Sequence, residues 1–151
     1  MKKLIEIDLV DLNLKAKNKN EAIVALAEHL EKADRLNDKE EYVKCVLARE
    51  ELSTTGIGFG VAIPHGKTDA VKVPSLCFGR CTEKLDWQSL DENSVESIFL
   101  IAVPEEAAKD EHLRILAALA RKLMSEEFRE ELSRIQDKEQ IIKLLDELLN
   151  N

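Results

Sequence analysis

Apolar positions along this chain recur at a spacing of two in some stretches and of three to four in others, and the changes of period mark out alternating strands and helices. Residues 10–16 alternate apolar and polar, the pattern of a half-buried strand. Asn18-Lys19-Asn20 then supplies a turn and an N-cap, and Ala22, Ala25, Leu26, Leu30 and Ala33 fall at helical spacing over residues 21–33. A second helix is predicted from the Asn37-Asp38 turn to about residue 50, with Tyr42, Val43, Val46 and Leu47 inward and Arg49 in its last turn.

The middle of the chain changes character. Residues 60–63, 76–81 and 95–103 are short apolar or β-branched runs bounded by Pro, Gly, Asp or Asn, and read as strands. The run from Ile98 to Val103 has no polar interruption, so it is expected at the centre of a sheet covered on both faces. Residues 111–124, 126–135 and 138–149 read as helices, the first with Leu113, Leu116, Ala117, Ala120 and Leu123 turned inward. The predicted fold class is α+β: a three-layer α/β/α sandwich in which helices flank a central mixed β-sheet, built by residues 1–151 as one domain.

Charge and cysteine content narrow the functional classes. The chain carries 22 basic and 30 acidic side chains, a formal charge of −8. That balance repels nucleic-acid phosphates and anionic lipid, and draws in a protein with a basic face. No apolar run approaches the roughly 18 residues of a membrane span, so a soluble, cytoplasmic protein without membrane insertion is expected. Three cysteines, Cys45, Cys77 and Cys81, are an odd number in a chain with ample core, and are expected as free thiols. Cys77 and Cys81 lack the second paired element of a zinc site, and read as structural residues of a strand.

The candidate chemistry lies in Ser53-Thr54-Thr55-Gly56-Ile57-Gly58-Phe59-Gly60-Val61-Ala62-Ile63-Pro64-His65-Gly66-Lys67, which holds four of the five glycines. Pro64 removes an amide donor and biases Ile63 towards extended geometry, so the apolar strand is expected to end there and display His65. Gly58 and Gly66 are expected to let another protein's backbone come near. For an isolated Pro-His-Gly, a histidine capping a tight surface turn is the commoner case. A neutral imidazole is also a good nucleophile near pH 7, the attacking nitrogen being chosen by the hydrogen bond that holds the other.

Neighbouring groups fit a phosphoryl ligand. Arg49 is joined to the His65 strand by a short loop that could fold its guanidinium over two phosphoryl oxygens, although an arginine completing its own helix end is the default reading. His112 follows Lys109-Asp110-Glu111 at a helix start, from which it could lean over the sheet edge or simply pack at the edge of the core. Thr54 and Thr55 offer hydroxyls, and amides around Gly58 could donate to an anion. Gly66-Lys67-Thr68 lacks the upstream glycine of a Walker loop, and neither His65 nor His112 has a metal-ligand partner one helical turn away. Phe59 either belongs to a docking rim or packs over the loop.

Taken in order, Ala48-Arg49-Glu50, Ser53-Thr54-Thr55-Gly56-Ile57-Gly58, Val61-Ala62-Ile63-Pro64-His65-Gly66-Lys67, Phe78-Gly79-Arg80, Ile98-Phe99-Leu100-Ile101-Ala102-Val103-Pro104 and His112-Leu113-x-x-Leu116 resemble the enzyme IIA domain of the fructose and mannitol branch of the bacterial phosphoenolpyruvate-dependent sugar phosphotransferase system. The resemblance covers essentially the whole chain. It implies a phosphotransferase in which His65 accepts a phosphoryl group from phospho-HPr and passes it to a cysteine of a IIB component. Arg49 and His112 would support the group, Thr54, Thr55 and Gly58 would line it, and no metal ion or other cofactor would take part. A regulatory phosphoprotein similar to the nitrogen-related IIA group is the alternative; Ser75 to Arg80 and Leu85 to Asp91 look more like the fructose branch. A domain of the related anion-transporter fold is a third reading, opposed by the presence of both His65 and Arg49. The sugar itself is not encoded in a chain that meets only proteins and phosphoryl groups.

Overall fold

The computed structural model describes residues 3–107 and 111–149, with the side chains of Glu111 and His112 outside the description. A short 3-10 turn at Ile7–Leu9 leads into β1 (Val10–Leu14). Helices α1 (Lys19–Lys32) and α2 (Lys39–Leu52) follow, then β2 (Gly56–Gly58), β3 (Val61–Ala62), β4 (His65–Lys67), β5 (Ser75–Leu85) and β6 (Val95–Val103). Three helices close the chain: α3 (Glu111–Leu123), α4 (Glu126–Arg134) and α5 (Lys138–Leu149).

Local sequence explains the helix ends. The Asn18 side chain accepts the Glu21 amide at 2.9 Å while Glu21 reaches back to the Lys17 amide at 3.1 Å, a reciprocal cap. α1 stops where Asp34 turns left-handed at φ 60°. There Arg35 N–H bonds the Leu30 carbonyl at 2.9 Å and Asp34 N–H bonds that of Glu31 at 3.0 Å, the paired closure of a Schellman motif. Asp38 caps α2 through the Glu41 amide at 3.1 Å.

The strands form one mixed sheet in the order β1-β5-β6-β3-β2, with β4 pairing β6 beyond β3. β1 runs parallel to β5, β5 antiparallel to β6, and both β3 and β4 parallel to β6. Helices cover both faces. A Cβ on Gly79 would meet Leu26 of α1, whereas the next residue, Arg80, donates to the Leu132 and Ile135 carbonyls at the end of α4. Successive strand residues point to opposite faces, so α1 and α4 lie on opposite sides and the three-layer expectation stands. β6 is buried from Ile98 to Val103, as its unbroken apolar run predicts.

Three expectations need correction. The Thr-Gly-Ile-Gly stretch, read as loop, is a strand hairpinned to β3 through Phe59 and Gly60, whose φ values of 60° and 77° suit a two-residue primed turn. The edge strand does not end before His65 either. Pro64 interrupts it, and β4 resumes pairing with His65 opposite Ile101. In α3 the fully buried positions are Ile115, Leu119 and Leu123, whereas Leu113 is exposed, as is Ala117. Apolar residues ring most of that helix, so spacing alone did not fix which face meets the sheet. Among the described residues, no helix is long and apolar enough to cross a membrane.

Candidate functional site

The break at Pro64 shapes the surroundings of His65. The Pro64 carbonyl accepts the Ile101 amide at 3.0 Å, which ties the break to β6. His65 Nδ1 lies 3.0 Å from the Ile63 carbonyl oxygen, which can only accept; Nδ1 therefore carries the hydrogen and the lone pair resides on Nε2. The residue is half-buried and lines a depression of about 480 Å³.

Arg49, Thr54 and Thr55 line the same depression, together with the apolar side chains of Ile57, Ile63, Leu113 and Leu116. Arg49 reaches it from the last turn of α2, where Nη1 donates to the Ser53 carbonyl at 2.9 Å and to the Ser53 hydroxyl at 3.3 Å. That contact completes the helix end and fixes the guanidinium on this face; Nη2 and Nε hold the remaining donors of the fork. The threonine hydroxyls are engaged by neighbouring protein groups. Thr54 Oγ1 donates to the Trp87 carbonyl at 3.0 Å and accepts the Gly56 amide at 3.1 Å, and the Thr55 hydroxyl donates to the Glu50 carboxylate.

Gly58 is not among the lining residues. Its φ is +102°, and a Cβ there would stand 3.1 Å from the Asp91 carboxylate, which also accepts the Phe59 amide at 2.9 Å. Gly66 departs from expectation as well. It lines the depression, and its missing Cβ admits the Cys45, Val46 and Tyr42 side chains of α2, so the glycine serves helix-to-strand packing. Phe59 packs beneath Arg129, whose guanidinium carbon is 4.0 Å from the ring centroid, and lies outside the depression. The side chain of His112 lies outside the described residues; the next residue, Leu113, borders the depression from the first turn of α3.

Sequence reasoning missed Glu50 and Trp87. Glu50 is 7% exposed and Trp87 fully buried, and both bind Thr55. A charged residue reads as solvent-facing by default, and the separation of 32 positions between Thr55 and Trp87 conceals their contact. Burial keeps the thiols protonated. Cys45 is shifted upward by desolvation, and Cys81 is pushed up to about 11 by the same cause, with Glu96 adding to it. Among the described residues, no three His, Cys, Asp or Glu side chains gather to hold a metal ion.

A mixed sandwich that places an imidazole of fixed tautomer beside a guanidinium suits transfer of an anionic group, and comparison with known proteins agrees: the chain is a phosphotransferase component. The family described as phosphoenolpyruvate-dependent sugar phosphotransferase system, EIIA 2, matches residues 3–148, and the chain belongs to that family. The chain is 37% identical to the PTS system fructose-specific EIIA component of Haloferax volcanii, with 95% of this chain and 92% of that protein covered. It is 38% identical to the fructose-specific EIIABC component of Bacillus subtilis, matching 91% of this chain but only 22% of that longer protein. Among solved structures, the nitrogen regulatory protein IIA-Ntr of Neisseria meningitidis superposes with a TM-score of 0.86 at 32% identity, covering 94% of this chain and 96% of that one. The IIA mannitol domain of Escherichia coli, also solved in complex with phosphorylated IIB, superposes in that complex with a TM-score of 0.78 at 26% identity, covering 93% of this chain and 96% of that one.

Proposed function

We propose that this chain carries phosphoryl groups in sugar uptake of the fructose and mannitol type, taking them from phospho-HPr on His65 and handing them to a cysteine of a IIB component in the cytoplasm. The observation that supports this most is the Nδ1–H bond to the Ile63 carbonyl, within a depression that also holds Arg49. In the first step Nε2 attacks phosphorus in line, an N–P bond forms, and the donor's own N–P bond breaks with its electron pair staying on that nitrogen. Nδ1 keeps its proton throughout and donates it to the Ile63 carbonyl. In the second step a IIB thiolate attacks phosphorus, the S–P bond forms, and the pair of the broken bond returns to Nε2.

The catalytic demand is positioning and charge stabilisation. Arg49 holds two equatorial oxygens by parallel hydrogen bonds. Thr54 and Thr55 shape the wall, their hydroxyls being committed to neighbouring protein groups. The apolar rim of Ile57, Leu113 and Leu116 excludes water from the transferring group. The net charge of −8 steers a carrier with a basic rim into a short-lived encounter.

Incubation with phosphoenolpyruvate, enzyme I and HPr, followed by intact mass, tests this reading. One acid-labile phosphoryl group is expected on the native chain and none on His65→Ala; no gain on the native chain contradicts it. The likeness to the Neisseria nitrogen regulatory protein favours a second reading, a phosphorylation-controlled regulator. Onward transfer to a sugar-type IIB separates the two.

A further inference from the structure

A chain of hydrogen bonds runs from a buried carboxylate to the ring of His65. Glu50, in the last turn of α2, is 7% exposed, and a carboxylate is rarely so buried unless its oxygens are engaged. Its Oε2 accepts the Thr55 amide at 3.2 Å and its Oε1 accepts the Thr55 hydroxyl. Lys19 Nζ, from the first turn of α1, stands 3.8 Å from Oε2 and offsets the charge. Thr55 is itself buried, and its hydroxyl oxygen also accepts Nε1–H of Trp87 at 3.4 Å. The Thr55 carbonyl accepts the Ile63 amide at 3.0 Å, and the Ile63 carbonyl accepts Nδ1–H of His65 at 3.0 Å.

We infer that Glu50 is a positioning residue for phosphoryl transfer: by gripping Thr55 it places the Ile63 carbonyl, and that carbonyl selects the tautomer that puts the attacking lone pair on Nε2. The inference rests on the reading of His65 as the phosphoryl acceptor. The coupling is mechanical. The amide and carbonyl of Thr55 belong to different peptide groups, as do those of Ile63, so the chain of bonds transmits position and not charge. Each oxygen of the carboxylate takes one donor of Thr55, whereas a carboxamide puts an N–H donor in the place of one of those oxygens. Glu50 does not itself line the depression, so its effect on the reaction passes through the tether.

The test reads the ring nitrogens of unphosphorylated, 15N-labelled protein by NMR in the native chain, Glu50→Gln and Glu50→Ala, with the His65→Ala spectrum assigning the signals. Phosphoryl uptake from phospho-HPr is measured in parallel. The native ring is expected as the Nδ1–H tautomer alone. Both variants are expected to show a tautomer mixture and a maximal uptake rate lower by on the order of tenfold to a hundredfold, with KM little changed and Gln closer to native than Ala. A folded Glu50→Gln with native tautomer and native rate overturns the inference. Should Glu50→Ala fail to fold, Thr55→Val removes one of the two bonds and keeps the backbone links; a smaller tautomer shift in the same direction supports the tether, and none contradicts it. A native chain that takes no phosphoryl group on His65 would remove the functional reading instead, and the ring-nitrogen comparison would still decide whether Glu50 sets the tautomer.

Discussion

Gly66→Ala asks whether the missing side chain beside the nucleophile faces a helix or a partner. A Cβ at Gly66 would stand 3.1 Å from Cys45 Sγ, 3.2 Å from Val46 Cγ2 and 3.4 Å from Tyr42 Cε1. Val46 and Tyr42 are fully buried, and the Tyr42 hydroxyl is held by the Ile101 carbonyl at 2.8 Å, so neither can retreat without disturbing β6. Overpacking of this kind costs about 1–3 kcal/mol, and reduced freedom of the unfolded chain offsets about 0.4–1 kcal/mol. At the middle of both ranges the net loss is about 1.3 kcal/mol, equivalent to a melting midpoint lower by about 3–5 °C for a chain of this length. Urea titration should show a lower midpoint at unchanged slope. Val46→Ala removes one of the three contacts, so combining it with Gly66→Ala should cost less than the sum of the two by about 0.5 kcal/mol. A Gly66→Ala chain of native stability that exchanges phosphoryl groups poorly would refute the helix-packing account.

Arg49→Ala should slow phosphoryl uptake by on the order of 10²–10³, while stability falls by no more than about 1 kcal/mol because its contact with Ser53 lies at an exposed helix end; stopped-flow transfer and thermal melts check both halves. Phe59→Asn should leave the uptake rate unchanged, since Phe59 packs under Arg129 away from the depression, and a fall in rate would restore it to the docking rim. Its stability should change by less than about 1 kcal/mol, because relief at φ 60° and loss of the ring contact oppose one another. Raised thiol values fix the sign of an alkaline effect. An unfolded thiol ionises near 9 while folded Cys81 keeps its proton to about 11, so the folded state binds more protons between those values and stability falls as pH climbs through them. Cys81→Ala, compared with the native chain across that window, should flatten this part of the profile.

The legible parts of the fold were those with sustained period. β6, with its unbroken apolar run, and α1 and α2, with caps at Asn18 and Asp38, follow directly from spacing and turn chemistry. β2 and β4 escaped notice because three residues each, two of them glycine in β2, carry no period; pairing with β3 and β6 makes them strands. Leu113 was assigned to the core because α3 is apolar over most of its circumference, and the structure gives it to the rim of the site.

Within the depression, His65 and Arg49 drew notice only together: each alone reads more simply, one as a turn histidine and the other as an arginine completing its helix end. The network that orients them was not legible. Glu50 lies one turn from the helix end among other acids, and its burial follows from where Thr55 and Trp87 arrive in space. The glycines show the same divide: their clustering marked the right segment, but the hairpin at Gly58 and Gly60 and the helix contact at Gly66 account for them without a partner.

The claim on which the rest depends is that His65 takes the phosphoryl group through Nε2. Phosphorylating 15N-labelled protein and reading the phosphorus coupling to the ring nitrogens decides it. The account predicts coupling to Nε2 of His65, with Nδ1 still protonated and donating to the Ile63 carbonyl; coupling to Nδ1, or phosphorylation at another residue, would contradict it.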